Sequence, residues 1–365
     1  MNEPRMLSVA ELATALGEPL AREQLSWAHG IPAVVVDLRR SEAFDAMPIG
    51  MALGSLPCIV VGVGGAPGVT PPTWVDLVID EETQPAEASR RGVLAAEAQA
   101  GGETESAALA EMWATIERAP IAAVSLAVLL RQGSGDVAAG LAAESAVYSM
   151  LQAGPEFARW RQSRPAHQSG SASQEPASAV RLERSDDSLT IRLARPHRHN
   201  AIDSAMRDGL CEALQVAVAD SSIERVVLRG DGPSFCSGGD LDSFGTFTDP
   251  ASAHLVRLTR SPATLMATVA ERTEVYLHGA AMGGGIELAA FARRVVAHPD
   301  TRIALPEVPL GLIPGAGGTV SIPARIGRHR TLLLALLGRP IDAPTALAWG
   351  LIDEIDSAPE SASTA

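Results

Sequence analysis

The stretches "FCSGGDL", Phe235 to Leu241, and "YLHGAAMGGGIELAA", Tyr276 to Ala290, each leave bare glycine backbone just after a strand-like run. A main-chain N–H grips an anionic oxygen only where no side chain blocks the approach, and two such donors converging on one point make an oxyanion hole. Gly239 and Gly284 are suitable donors, and Gly284 opens a helical pattern whose dipole adds positive potential there. Either cluster taken alone reads more readily as a mere tight turn. Two glutamates change that balance. Glu287, on the first turn after Gly284, shares a face with that N–H. Glu307, in "LPEVPLGLIPGAGGT", sits in an apolar, proline-framed segment where desolvation raises a carboxyl toward a useful range. Most glutamates are solvated, but two beside glycine turns, with no Lys or Arg close in sequence, fit a general acid/base pair.

Other candidate motifs point to less. "GVGGAPG", Gly62 to Gly68, resembles a dinucleotide turn with Asp80 as its acid, but Pro67 occupies the third glycine position and Pro71 and Pro72 leave no room for a helix, so it reads as a plain turn. "IPGAGGT" has no Lys after its glycines and reads as a structural turn rather than a phosphate loop. His197 and His199 form H-x-H without a visible third ligand and are expected to be solvated; His278 is expected to brace the second glycine turn by hydrogen bonding.

These residues need a scaffold. "SLTIRLARP" alternates like a strand, residues 204–220 carry a helical stripe of Met206, Leu210, Leu214 and Val218, and "ERVVLRG", "TEVYLHG" and "RRVVAHP" read as further strands around the helix "GGGIELAAFA". "TLLLALLGRPIDAPTALAWG" reads as helix, turn, helix. Upstream, "PAVVVDL", "PCIVVGVG" and "WVDLVID" read as buried strands, and Ser106 to Arg164 as two or three helices. The Ser-, Gln- and Pro-rich stretch between them predicts a division into a helical or degenerate domain at 1–162, a flexible linker at 163–179, a core at 180–356 and a disordered tail at 357–365.

With 46% hydrophobic and 20% charged residues the composition is globular, and 365 residues suit two domains. A formal net charge of −14 disfavours nucleic acid and anionic membranes. The start has no basic-then-apolar signal pattern and no apolar run is long enough to span a bilayer, so a cytoplasmic protein is expected. Cys58, Cys211 and Cys236 share no C-x-x-C spacing and predict reduced structural thiols, with no metal site.

"LARPHRHNAIDSAM", "FCSGGDL", "GAAMGGGIELA", "LPEVPLGLIPGAGGT" and "AWGLIDEI" resemble, in order, the successive motifs of the crotonase or enoyl-CoA hydratase/isomerase family, over about Val180 to Ile355. The resemblance implies an α/β fold, a crotonase-like spiral of ββα units with additional helices, acting on CoA thioesters as a homotrimer or dimer of trimers. It implies that Gly239 and Gly284 hold the thioester oxygen, that Glu287 and Glu307 are the catalytic acids of a hydratase (or isomerase), and that no cofactor is needed beyond the substrate's own coenzyme A. Arg198, Ala201, Ile202, Ser237, Gly238, Asp240, Leu241 and Gly283 fall where the family lines the CoA and pantetheine path. Family members continue after the "GLIDEI" position with helices that close the acyl pocket. Residues 120–131 and 137–164, ending in W-x-x-x-R, resemble that segment, so these helices are expected to cover the C-terminal core, and the N-terminal half resembles a degenerate crotonase unit lacking the GGD and GGGxE motifs. The alternative is a non-catalytic or regulatory acyl-CoA-binding subunit.

Overall fold

The computed structural model describes residues 6–39, 54, 56–64, 72–80, 94–95, 104–133, 135–164, 178–246 and 249–357. The chain begins with β1 (Met6–Ser8), α1 (Val9–Leu16), α2 (Ala21–Gln24), β2 (Ala33–Asp37), β3 (Ile59–Val63), β4 (Leu77–Asp80) and β5 (Leu94–Ala95). These strands form one parallel sheet in sequence order. Ser8 starts α1 with a reciprocal capping box to Glu11. The unbroken apolar runs in β2 and β3 follow from burial on both faces. Val34, Val36 and Val60 pack against Val9 and Leu12 of α1, while Val35, Ile59 and Val61 face a larger core on the other side.

That larger core is reached through α3 (Thr104–Arg118), α4 (Pro120–Gln132), α5 (Val137–Gln152) and α6 (Pro155–Ser163). Next come β6 (Val180–Ser185), β7 (Ser188–Leu193), α7 (Ser204–Ala219), β8 (Arg225–Gly230), α8 (Pro250–Thr259), α9 (Pro262–Thr268), β9 (Thr273–Leu277), β10 (Ala280–Met282) and α10 (Gly284–Ala289). The chain then forms β11 (Arg294–Ala297), β12 (Arg302–Ala304), α11 (Gly318–Leu337), β13 (Ile341–Asp342), α12 (Ala343–Trp349) and β14 (Glu354–Ile355). A six-stranded sheet runs β14-β11-β9-β8-β7-β6, antiparallel only between β6 and β7, and a second sheet runs β10-β12-β13. Successive strand pairs, β9 with β10 and β11 with β12, put one strand in each sheet before a helix follows, the ββα rhythm of the expected α/β spiral. On α7 the stripe is Met206, Leu210, Leu214 and Ala217; Val218, expected on it, is 42% exposed because each i+4 step overshoots the 3.6-residue turn, and a third such step leaves the buried face while the i+3 step to Ala217 stays on it.

The helices before the expected linker lie on the C-terminal half. α3, α4 and α5 all pack on α11, and α5 also packs on α8 and α9. One apolar cluster runs from Ile59 and Leu77 through Met112, Ile116 and Leu126 to Leu332–Leu336, so the core itself has no break at residue 162. Every residue from Thr331 to Leu336 is buried, because α3 and α4 cover what would otherwise be an apolar outer face. Polar contacts reinforce the junction. Buried Asp76 accepts the backbone N–H of Val60 and pairs with Arg131 of α4 and, across the junction, with Arg328 of α11; among the covering helices themselves, Glu156 of α6 accepts the N–H groups of Ile121 and Ala122 at the start of α4. Most of the predicted linker, 165–177, and nearly all of the tail, 358–365, lie outside the described residues. No single helix among the described residues is long and apolar enough to cross a membrane.

Candidate active site

The first glycine turn is stitched to the second by main-chain bonds. Phe235 N–H donates to the His278 carbonyl at 2.8 Å, Cys236 N–H to Ala280 at 3.0 Å, and Met282 N–H returns to Cys236 at 2.9 Å. Ile202 N–H donates to Gly238, and Asp240 N–H to Ile202, fixing the other side of the turn. Beneath it lies Asn200, fully buried at φ +54°. Its Nδ2 donates to the carbonyls of Asp231, Ser234 and Phe235, and its Oδ1 accepts the Arg195 N–H. His278, expected to brace the second glycine turn, instead places Nε2 2.9 Å from the carbonyl of Gly232, three residues ahead of the first. With the backbone tied down around them, the N–H groups of Gly239 and Gly284 have no acceptor among the described residues, and both residues line one cavity of about 700 Å³. Gly284 is the first residue of α10, so the dipole of that helix points at the same space.

Both glutamates enter this cavity. A side chain at Gly283 would place its Cβ 2.2 Å from Glu307 Oε1 and 3.8 Å from Glu287 Oε1, so the two carboxyls flank a position that only glycine fills, at φ +47°. Their surroundings differ. Glu287 Oε2 accepts the N–H groups of Ala316 at 2.7 Å and Gly318 at 2.9 Å. Glu307 Oε2 is buried with no hydrogen-bond partner. Burial pushes the Glu307 carboxyl up to about 8, helped by the charge of Glu144. Burial and the charges of Glu307 and Glu144 also raise Glu287, while its two N–H donors favour the ionised form. The two carboxyls thus sit side by side in unlike settings, Glu287 Oε2 with two backbone donors and Glu307 Oε2 with none.

The turn "IPGAGGT" is more than the structural turn its composition predicts. Its amides point alternately to two carboxylates: Ala316 and Gly318 to Glu287, Gly317 and Thr319 to Glu144. Glu144 lies on α5 and is 2% exposed; its Oε1 is 2.7 Å from Gly317 N, and its Oε2 takes the Thr319 N–H at 2.9 Å and hydroxyl at 2.7 Å. Burial pushes it up to about 7 against these donors and Arg257. The sequence singled out neither Glu144 nor Asn200. The available signal was that Glu144 is the sole charged residue of an otherwise apolar helix.

Of the residues singled out in the sequence, Ile202, Gly239, Gly284, Glu287 and Glu307 line the cavity together. Arg198, Ala201, Ser237, Gly238, Asp240, Leu241 and Gly283 are not on its wall but lie in or beside the two turns. Arg198 pairs with Asp242 and Asp240, Ala201 is buried, Ser237 donates its N–H to His199, and Leu241 is exposed. His199 Nδ1 meets Ser234 Oγ at 3.0 Å, and no cluster of three His, Cys, Asp or Glu suited to a metal occurs among the described residues. The three cysteines are free and buried.

A family model for enoyl-CoA hydratase/isomerase matches residues 183–365, and the chain belongs to that family. It is 35% identical over 172 residues to the enoyl-CoA isomerase/hydratase fer4 of Mycosarcoma maydis, covering 45% of this chain and 63% of that one. It is 33% identical over 173 residues to the 2,3-dehydroadipyl-CoA hydratase of Escherichia coli, covering 46% and 65%. A peroxisomal bifunctional enzyme of Cavia porcellus is 38% identical over 174 residues, 46% of this chain and 23% of that protein. The chain thus spans less than two thirds of the length of these relatives. Among solved structures, the enoyl-CoA hydratase of Thermoplasma volcanium GSS1 superposes with a TM-score of 0.45 at 34% identity, covering 50% of this chain and 73% of that one.

Proposed function

We propose that the chain catalyses addition of water to the α,β-double bond of an acyl-CoA thioester, a hydro-lyase reaction run in the hydration direction. The observation that carries this reading is the convergence on one cavity of two unengaged glycine N–H groups with two buried glutamates in unlike surroundings. Relatives named as hydratases and isomerases support it.

With the thioester oxygen between Gly239 N–H and Gly284 N–H, attack at C3 drives electrons through the conjugated system onto that oxygen, and the two donors stabilise the enolate-like transition state. Glu287, ionised, takes a proton from the water as its oxygen bonds to C3. Glu307, protonated, delivers a proton to C2 as the enolate collapses. Because both carboxyls flank Gly283, the proton gained by Glu287 has a short path back to Glu307. Water's oxygen and one of its protons end on C3, the Glu307 proton ends on C2, and water's second proton, passed from Glu287 to Glu307, returns the enzyme to its starting state. The same groups also serve an isomerase, in which one glutamate removes a proton from C4 and a proton is returned at C2. The family reading further carries assembly as a homotrimer or dimer of trimers.

The test is the ultraviolet absorbance of crotonyl-CoA, which hydration removes. Loss of absorbance with formation of the 3-hydroxyacyl product supports the hydratase. Tight thioester binding without loss would instead identify a non-catalytic acyl-CoA-binding subunit.

A further inference from the structure

Three arginines line the cavity, and two of them are neutralised by neighbours: Arg207 by Asp208, and Arg260 by Asp208 and Glu212. Arg257 of α8 has no carboxylate within ion-pair distance among the described residues. Its Nε donates to Ser145 Oγ at 3.1 Å, and its terminal nitrogens to Gln152 Oε1, the Ser145 carbonyl and Ser149 Oγ, all neutral oxygens. The acid that acts on it electrostatically, Glu144, has both oxygens committed to Gly317 and Thr319. Burial disfavours the charge on Arg257. A partly buried cation whose direct partners are all neutral oxygens is stabilised further when a ligand supplies a carboxylate.

Its position in the cavity is informative. Arg257 stacks over the Tyr148 ring, 4.9 Å from its centroid, and that ring lies against Gly315, next to the Ala316 whose N–H holds Glu287. Contacts therefore run from the acid/base pair through the Gly315–Ala316 turn and Tyr148 to the guanidinium. Leu141, Phe244, Val256 and Leu288 provide apolar lining of the same cavity. A chain that starts at the glutamates, crosses apolar surface and ends at a charged fork fits an acyl group with an anionic end.

We propose that Arg257 is a specificity-determining residue that receives a carboxylate at the distal end of the acyl chain, making the substrate the mono-CoA thioester of an unsaturated dicarboxylic acid. This rests on the hydration reading above and narrows it. The guanidinium's donors rest on the neutral oxygens of Ser145, Ser149 and Gln152, which a carboxylate would displace in part for a charge-assisted pair, while the Tyr148 face holds the fork in place.

The experiment compares trans-2-enoyl-CoA substrates of equal chain length, six to ten carbons by design, ending either in a methyl or in a carboxylate, on the full chain. The carboxylate-ended member is expected to have at least about a tenfold higher kcat/KM, the value of a hydrogen-bonded charge pair. Arg257→Met is expected to lower that preference ratio at least about tenfold, and Arg257→Lys, which keeps charge without the fork, to lower it less. Equal or better turnover of the methyl-ended series by the wild-type protein overturns the proposal, as does a ratio unmoved in Arg257→Met. If neither series is hydrated, the hydration reading is what has failed. Calorimetric binding of the same thioesters then decides the inference: tighter binding of the carboxylate-ended series, lost in Arg257→Met, supports it, and equal binding overturns it.

Discussion

Glu144 and Glu287 share one turn, taking alternate amides along it: Ala316 and Gly318 donate to Glu287, Gly317 and Thr319 to Glu144. One carboxylate comes from α10 beside Gly284, the other from α5, ahead of the predicted linker. Glu144 is therefore a positioning residue. Replacing it with Ala leaves two amides and the Thr319 hydroxyl without acceptors and should cost about 1–3 kcal/mol of stability. Glu144→Gln keeps one acceptor and removes the charge that raises Glu307 and Glu287. Its pH–rate profile should move to lower pH on both limbs, which a purely structural role would not produce. Stopped-flow rates across the pH range measure this.

Glu287→Gln and Glu307→Gln should each lower kcat by about 10²-fold or more while thioester affinity stays within about tenfold, because proton transfer is confined to the transition state. Turnover and calorimetric binding on the same preparations separate the two effects. Near-normal turnover in both variants would rule out the carboxyl pair.

Gly284→Ala keeps the N–H, and its Cβ meets Ile202 Cδ1 at 3.1 Å, a flexible neighbour. Gly284→Pro removes the donor at the first helical position, where proline is otherwise tolerated. Turnover should fall about 10²-fold or more in the proline variant and far less in the alanine variant. Equal rates in two folded variants would remove Gly284 from the oxyanion hole. Gly283→Ala, with its Cβ on Glu307 Oε1, should damage both activity and stability.

Buried carboxyls give the fold a pH dependence of definite sign. Glu307 is raised to about 8 from an ordinary 4.5, and Glu144 to about 7. Raised carboxyls favour the folded state fully below their unfolded value, and that contribution is lost as pH rises through the folded one. Tm should fall between about pH 5 and 9, and Glu307→Gln should flatten the curve, since glutamine has nothing to ionise. A variant as pH-sensitive as the wild type would show that Glu307 is not the group responsible.

The helices before residue 165 cover the apolar face of α11, so residues 178–365 expressed alone should aggregate, and co-expression with residues 1–164 should restore a soluble complex. Asp76→Ala, which removes the buried carboxylate shared by Arg131 and Arg328 and leaves them against main-chain carbonyls there, should cost about 3–5 kcal/mol in chemical denaturation. A soluble, active C-terminal fragment would show that the junction is dispensable.

The glycine turns and Glu287 and Glu307 were legible in the amino-acid order because each demand is local. An unblocked N–H needs glycine at a particular place after a strand, and a carboxyl that serves it needs a fixed spacing along the first helical turn. Strand and helix periodicity likewise placed β2, β3, β8, β9, α7 and α10, since one buried face imposes its own spacing. Glu144 could not be found that way. It meets Gly317 across 173 residues, and nothing in "AAESAVY" records which turn α5 will lie against. Nor does the composition of "IPGAGGT" say whether its amides hold a phosphate, a neighbour's side chain or nothing. Arg257 beside Tyr148 is the same case, with α8 and α5 brought together only by packing. Which apolar faces merge into one core is a non-local outcome of burying area, and it was this merger, not any motif, that placed Glu144 and Arg257 in the cavity.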